Sequence, residues 1–318
     1  MKRGRLVAGV AGTVAAAAAV GAVGIEIARR SRQPVPQEDI GGEPFSVTTT
    51  DGAVLAATDA GRGPLVVLSH CYTGSRAVWM PVAARLVATG HRVVLYDQRG
   101  HGDSTVGSEG LTIERIGEDL REVLEQIDAG AAVLAGHSMG GMAVLALAAS
   151  HPEIVNARAR ALVLVSTAAA GLSTIVPAGP VAAVLASPVA TMVTGGPLGP
   201  FVGRAVHGPG MTWAQLVSGS KLYSQTAPAT RAGFLRSMAK MDLRAALGRC
   251  RVPAVVVVGE HDRLTPPKLG AEIVAHLRDA DLIVVPKAGH MLPWEAPDRV
   301  AEIISAMAVV APTSLTTP

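Results

Sequence analysis

Six short stretches of this chain, residues 65–68, 93–96, 132–135, 161–165, 254–258 and 282–285, are rich in Val and Leu and apolar at every position. A strand with one wet face alternates polar and apolar side chains, so a continuously apolar strand is covered on both faces. Helical patterns fall between several of these runs. Ile113, Ile116, Leu120, Val123, Leu124 and Ile127 recur at helical spacing, opposite Glu114, Arg115, Glu118, Arg121 and Glu125. Strand and helix in alternation predict an α/β fold, a mostly parallel central sheet with helices on both faces. Ahead of it, residues 45–50 and 53–58 flank Asp51-Gly52, whose residue types suit a left-handed turn, so an antiparallel hairpin is expected to open the sheet.

The alternation breaks after Thr167 and resumes near Pro253. Residues from about 168 to 250 are too many for a simple connection and are read as an inserted helical lid. No Asp, Glu, Lys or Arg occurs between Arg160 and Arg204, so its first part either packs on the core or faces something apolar, a substrate or a membrane. The expected organisation is a membrane segment at 1–33, a linker at 34–44 and an α/β domain at 45–312 containing the lid.

Residues 6–25 are uncharged and rich in Ala, Val and Gly, with Lys2, Arg3 and Arg5 before them and Arg29, Arg30 and Arg32 after them. As a helix such a run is about 30 Å long, the thickness of a bilayer core. It is read as an uncleaved anchor contacting membrane lipid, with a cleaved signal peptide, and hence secretion, as the alternative. Basic residues on both flanks leave the orientation open. They also account for the formal net charge of +3, because without those six and Glu26 the chain has 22 basic and 24 acidic residues. The body is therefore not built to bind a polyanion, and no nucleic-acid partner is expected. Two cysteines, Cys71 and Cys250, make neither a disulfide framework nor a metal-ligand spacing, and Cys250 is read as an ordinary buried thiol.

The chemistry concentrates in Gly136-His137-Ser138-Met139-Gly140, placed between the strand at 132–135 and an apolar helix. A serine on so sharp a turn needs neighbours without side chains at 136 and 140, and the turn sets it at a helix N-terminus, where amides and the dipole favour developing negative charge. A serine hydroxyl needs a base to take its proton. His290, in Ala288-Gly289-His290 after the last strand, is the candidate base. Asp262, in Glu260-His261-Asp262 after the strand at 254–258, is the candidate acid; it could instead cap a helix ahead of Pro266 and Pro267. The amide of Met139 is one expected oxyanion donor. The amide of Tyr72, in His70-Cys71-Tyr72-Thr73-Gly74, is the expected second.

These segments resemble the α/β-hydrolase superfamily, of the lid-containing type, over nearly the whole body from Phe45 onward. The elbow, the turn Asp97-Gln98-Arg99-Gly100-His101-Gly102-Asp103-Ser104, and the acid and base segments all agree, in the chain order Ser, Asp, His that the resemblance requires. Asp97 and Arg99 are read as bracing that turn. The family usually has His-Gly where this chain has His70-Cys71. If the backbone there needs a positive φ, Cys71 carries strain or displaces the Tyr72 amide. A catalytic thiol at Cys71 stays open, although Ser138 has the complete constellation.

The resemblance implies a serine hydrolase, an esterase or lipase acting through an acyl-enzyme on a small-molecule ester with a hydrophobic acyl group. Other Ser-His-Asp chemistry on thioesters, amides or carbon–carbon bonds, cofactor-free perhydrolysis, and a non-catalytic anchored lipid-binding role are the alternatives. No nucleotide or metal motif is present in the sequence, and no cofactor is expected.

Overall fold

The computed structural model describes residues 38–170, 184, 187–207 and 210–309. Its strands β1 (Glu43–Thr48), β2 (Val54–Gly61), β3 (Leu65–Ser69), β4 (Arg92–Tyr96), β5 (Ala132–His137), β6 (Ala159–Val165), β7 (Ala254–Gly259) and β8 (Ala280–Val285) form one sheet. The order across it is β1-β2-β4-β3-β5-β6-β7-β8. The hairpin pairs Thr48 with Val54 around Gly52 at φ 84°, and β2 runs antiparallel to β4; from β4 to β8 every pairing is parallel. The α/β architecture expected from the sequence is the one observed.

Successive strand residues point to opposite faces, and the core divides accordingly. Val66, Leu68, Val93, Leu95 and Val257 pack with Val82 and Leu86 of α1 (Met80–Ala88) and with Val300 and Ile304 of the last helix, Pro297–Val309. Val67, Val94, Leu134, Leu162 and Val256 face α2 (Ile113–Gln126) and α3 (Met139–Ser150). In α3 every residue but Ser150 is buried, because α2 covers the side that the sheet leaves open. Gly117 permits that cover: a Cβ there would lie 2.9 Å from Cβ of Ala146. The apolar run at 282–285 departs from expectation. It belongs to β8 at the sheet edge, where Val284 is 42% exposed and Leu282 and Ile283 are half-buried, since a neighbouring strand covers β8 on one side only.

A short helix, α4 (Pro152–Arg158), precedes β6, and between β6 and β7 lie α5 (Pro188–Gly195), α6 (Gly199–His207), α7 (Trp213–Gln225), α8 (Pro228–Lys240) and α9 (Arg244–Leu247). The uncharged stretch is split in its packing. Ala168, Ala169 and Ala170 are buried in the core, whereas Val189, Met192, Leu198 and Phe201 are exposed. After β7 come α10 (Pro267–His276), then α11 (Leu292–Glu295) and α12 (Pro297–Val309) following β8.

The turn after β4 is held by buried charge. Arg99 donates to Asp119 at 2.6 Å and to Asp51 at 2.8 Å with all three side chains essentially dry, and Asp97 accepts the amides of Arg76 at 2.7 Å and Asp103 at 3.0 Å.

A membrane-anchored location, expected from residues 6–25, is corrected. No helix among the described residues is long and apolar enough to cross a membrane, and the segment on which that expectation rested, with its lipid contact, lies outside them. The longest described helix, α2, has 14 residues. That is a rise of about 21 Å, against roughly 30 Å of hydrocarbon, and the apolar runs of the body are strands spent on the core.

Candidate active site

Ser138 stands between β5 and α3 at φ 54°, ψ −115°, a left-handed conformation forced by the reversal from strand to helix. Two glycines make the turn sterically possible. A Cβ on Gly136 would lie 2.3 Å from the oxygen of Gly140, and one on Gly140 would lie 2.1 Å from the oxygen of Ser69. Gly141 likewise leaves room for Thr167, whose hydroxyl donates to the Ser138 carbonyl at 2.7 Å. The serine is 8% exposed at the N-terminus of α3.

Asp262 follows β7 and His290 follows β8, so both lie at the carboxyl edge of the sheet with Ser138. Nδ1 of His290 is 2.9 Å from Oδ2 and 3.1 Å from Oδ1 of Asp262, and both residues are buried. Asp262 also accepts the amides of Leu264 at 2.9 Å and Thr265 at 2.8 Å, and the Thr265 hydroxyl at 2.8 Å. Burial alone would raise this carboxyl. The His290 ring and the Thr265 donors outweigh it and hold the group well below the usual carboxylate range, so it is ionised at neutral pH.

The loop after β3 carries Tyr72. Neither the Tyr72 amide nor the Met139 amide donates to another described residue, whereas the Thr73 amide is engaged by Nε2 of His101 at 3.1 Å. The left-handed backbone conformation in this loop falls on Thr73, at φ 56°, and not on Cys71, so Cys71 carries no such strain. His70 fixes the loop to the next strand end, its Nε2 accepting the Gln98 amide at 2.9 Å. The Cys71 thiol is buried in an apolar cluster with Val78, Met211, Leu216, Met291 and Trp294, and burial pushes it up to about 12.

Several participants were not singled out by sequence reasoning. His137 Nε2 donates to the main-chain oxygen of His290 at 2.9 Å, with the two ring centroids 5.1 Å apart, which brings the elbow and the base loop together. His207, at the end of α6, stacks on His290 at 6.0 Å and 18°, and its main-chain oxygen accepts the His290 amide at 3.3 Å. Glu295 accepts the amides of Gly289 at 2.7 Å and Met291 at 2.9 Å, clamping the loop on either side of His290. Only Thr265 had a local signal: a threonine three residues after an aspartate is a common turn in which the carboxylate takes the later amide. Among the described residues no cluster of three or more His, Cys, Asp or Glu could hold a metal ion.

Known proteins resemble this chain in sequence or in fold. A candidate carbamate hydrolase, RutD, of Variovorax paradoxus is 30% identical over 240 residues, covering 72% of this chain and 85% of that one. The 3-oxoadipate enol-lactonase 1 of Acinetobacter baylyi is 26% identical over 265 residues, covering 81% and 94%. The structure of a thermophilic esterase from Thermogutta terrifontis superposes with a TM-score of 0.66 at 26% identity, over 83% of this chain and 97% of that one. Residues 66–303 match the model of the alpha/beta hydrolase family, and this chain belongs to that family of enzymes.

Proposed function

We propose that the chain is a serine hydrolase of carboxylic esters, with Ser138 as nucleophile, His290 as general base and Asp262 as the acid that orients it. The observation that carries this reading is the 2.9 Å contact between Asp262 and Nδ1 of His290, on a loop tied through His137 to the elbow that presents Ser138. An ionised Asp262 accepts the hydrogen bond from Nδ1–H of His290, which keeps the proton on Nδ1 and leaves Nε2 as the acceptor for the Ser138 hydroxyl proton.

Ser138 Oγ attacks the ester carbonyl while its proton passes to Nε2, and the carbonyl oxygen becomes an oxyanion that the amides of Tyr72 and Met139 receive. Collapse expels the alcohol, which takes the proton from Nε2. A water molecule, deprotonated by the same nitrogen, then attacks the acyl-enzyme and releases the acid and Ser138. The helices α5 to α9 act as a lid over the site. The apolar cluster of Cys71, Val78, Met211, Leu216, Met291 and Trp294 offers walls for a hydrophobic acyl group. The enol-lactonase among the relatives supports an ester, since a lactone is a cyclic one, as does the esterase.

The test is fluorophosphonate labelling of the wild type and of Ser138→Ala, with turnover of p-nitrophenyl esters of graded chain length. Labelling lost in the variant, together with ester turnover, is the expected result. A folded wild type that neither labels nor hydrolyses any ester overturns the reading.

A further inference from the structure

Arg231, on α8, is completely buried, at 0% exposure. Its Nη1 donates to the Tyr223 carbonyl at 3.1 Å, its Nη2 to the Thr191 hydroxyl, and the Tyr223 ring lies 4.5 Å from the guanidinium carbon. Among the described residues Nε is buried without a partner and no carboxylate pairs with the group. A guanidinium presents five N–H donors and a charge that cannot be shed, so burying it against one carbonyl, one hydroxyl and a ring leaves both charge and donors uncompensated.

The surrounding chain supplies no acid either. From residue 154 to residue 241 neither Asp nor Glu occurs, while α6, α7 and α8 carry Arg204, Lys221, Arg231, Arg236 and Lys240. The start of α8 rests beside the proposed oxyanion loop. The Tyr72 hydroxyl donates to the Arg231 main-chain oxygen at 2.9 Å, and a Cβ on Gly100 would lie 2.9 Å from the Thr230 side chain.

We infer that Arg231 is the anchor for a carboxylate borne by the substrate, an ester whose apolar body ends in an acid group. Such a group brings the missing counter-charge and two acceptor oxygens in the planar geometry that a guanidinium matches. The inference rests on the ester reading for the reaction and on Arg231 alone for the anion.

Two matched pairs of substrates test it, each differing in one charge. The pair p-nitrophenyl hydrogen glutarate and p-nitrophenyl valerate places the carboxylate on the acyl part, and p-(butyryloxy)benzoate against p-(butyryloxy)benzamide places it on the leaving group. In the wild type, kcat/KM is expected to favour the anionic member of one pair by about tenfold or more, the worth of a charge-assisted hydrogen bond. Arg231→Met, which keeps an unbranched apolar stem and removes the charged guanidinium, brings that ratio close to one; Arg231→Lys retains part of it. Glutarate or p-hydroxybenzoate, the acid of whichever pair shows the preference, raises the melting temperature of Ser138→Ala but not of Ser138→Ala/Arg231→Met.

A wild-type ratio near one in both pairs overturns the inference, whether or not the Met variant folds, and so does a preference that survives in Arg231→Met. Should no ester be turned over while one of the acids stabilises the protein only when Arg231 is present, the anion site stands and the ester reading falls. Absence of both stabilisation and turnover overturns both.

Discussion

His137, the residue before Ser138, donates from Nε2 to the main-chain oxygen of His290 at 2.9 Å. The elbow and the loop bearing the proposed base are thereby joined by a buried hydrogen bond between neighbours of the reacting groups. Burial, reinforced by the nearby His290 ring, pushes His137 down to about 3, so it remains a neutral donor across the neutral range. In His137→Phe the His290 carbonyl is left buried without its donor, a cost of about 1–3 kcal/mol. The expected outcome is a lower melting temperature and a kcat reduced about tenfold with KM little changed, since misplacement of a base acts on the chemical step. Steady-state kinetics and thermal melts check it, and an unaltered kcat would remove His137 from any positioning role.

Acid should unfold this protein from a higher pH than its carboxylates alone require. Burial lowers His70 and His207 to about 4 and His101 and His137 to about 3. The unfolded chain takes up these protons below about pH 6.5, whereas the folded chain does not. Their contribution to stability is therefore complete above about pH 6.5 and declines as the pH falls toward the folded values. Urea unfolding between pH 7 and pH 4 should show that decline, and His137→Gln should make it shallower. A stability flat across this interval counts against the burial of these rings.

Cys71 is expected to be inert. Its thiol, raised by burial, holds almost no thiolate at neutral pH, and its backbone carries no left-handed strain that glycine would relieve. Cys71→Gly and Cys71→Ala should each keep ester turnover within about threefold of wild type, at a stability cost of about 1 kcal/mol for the lost packing. Native protein should react with iodoacetamide far more slowly than the unfolded chain. Abolished activity in a folded Cys71→Ala would show that the sulfur is needed.

Gly140→Ala probes the close approach of the elbow to β3. Its added methyl would meet the Ser69 oxygen at 2.1 Å and the His70 oxygen at 2.7 Å, both main-chain atoms that cannot swing aside. Moving them displaces the Tyr72 loop as well as Ser138. A destabilisation of about 1–3 kcal/mol and a kcat loss of about a hundredfold are expected. Labelling of Ser138 by a fluorophosphonate at the wild-type rate in this variant would show that the two loops move independently.

The sequence by itself determined the sheet and the elbow. Apolar runs such as 132–135 read as strands, and a serine flanked by Gly136 and Gly140 between strand and helix has few other conformations to adopt, because both signals act over a few neighbouring residues. It also separated Asp262 and His290 from the other acids and histidines by their positions after strands. What only the tertiary structure decided involves residues far apart in the chain. His137 is 153 residues from the carbonyl it holds, Tyr72 is 159 from the Arg231 oxygen it meets, and β8 proved to be an edge strand although its run of residues reads like the buried ones. Hydrogen bonds, stacking and uncompensated charge across such separations leave no periodicity or local spacing; they exist only once the sheet order has brought the loop ends together.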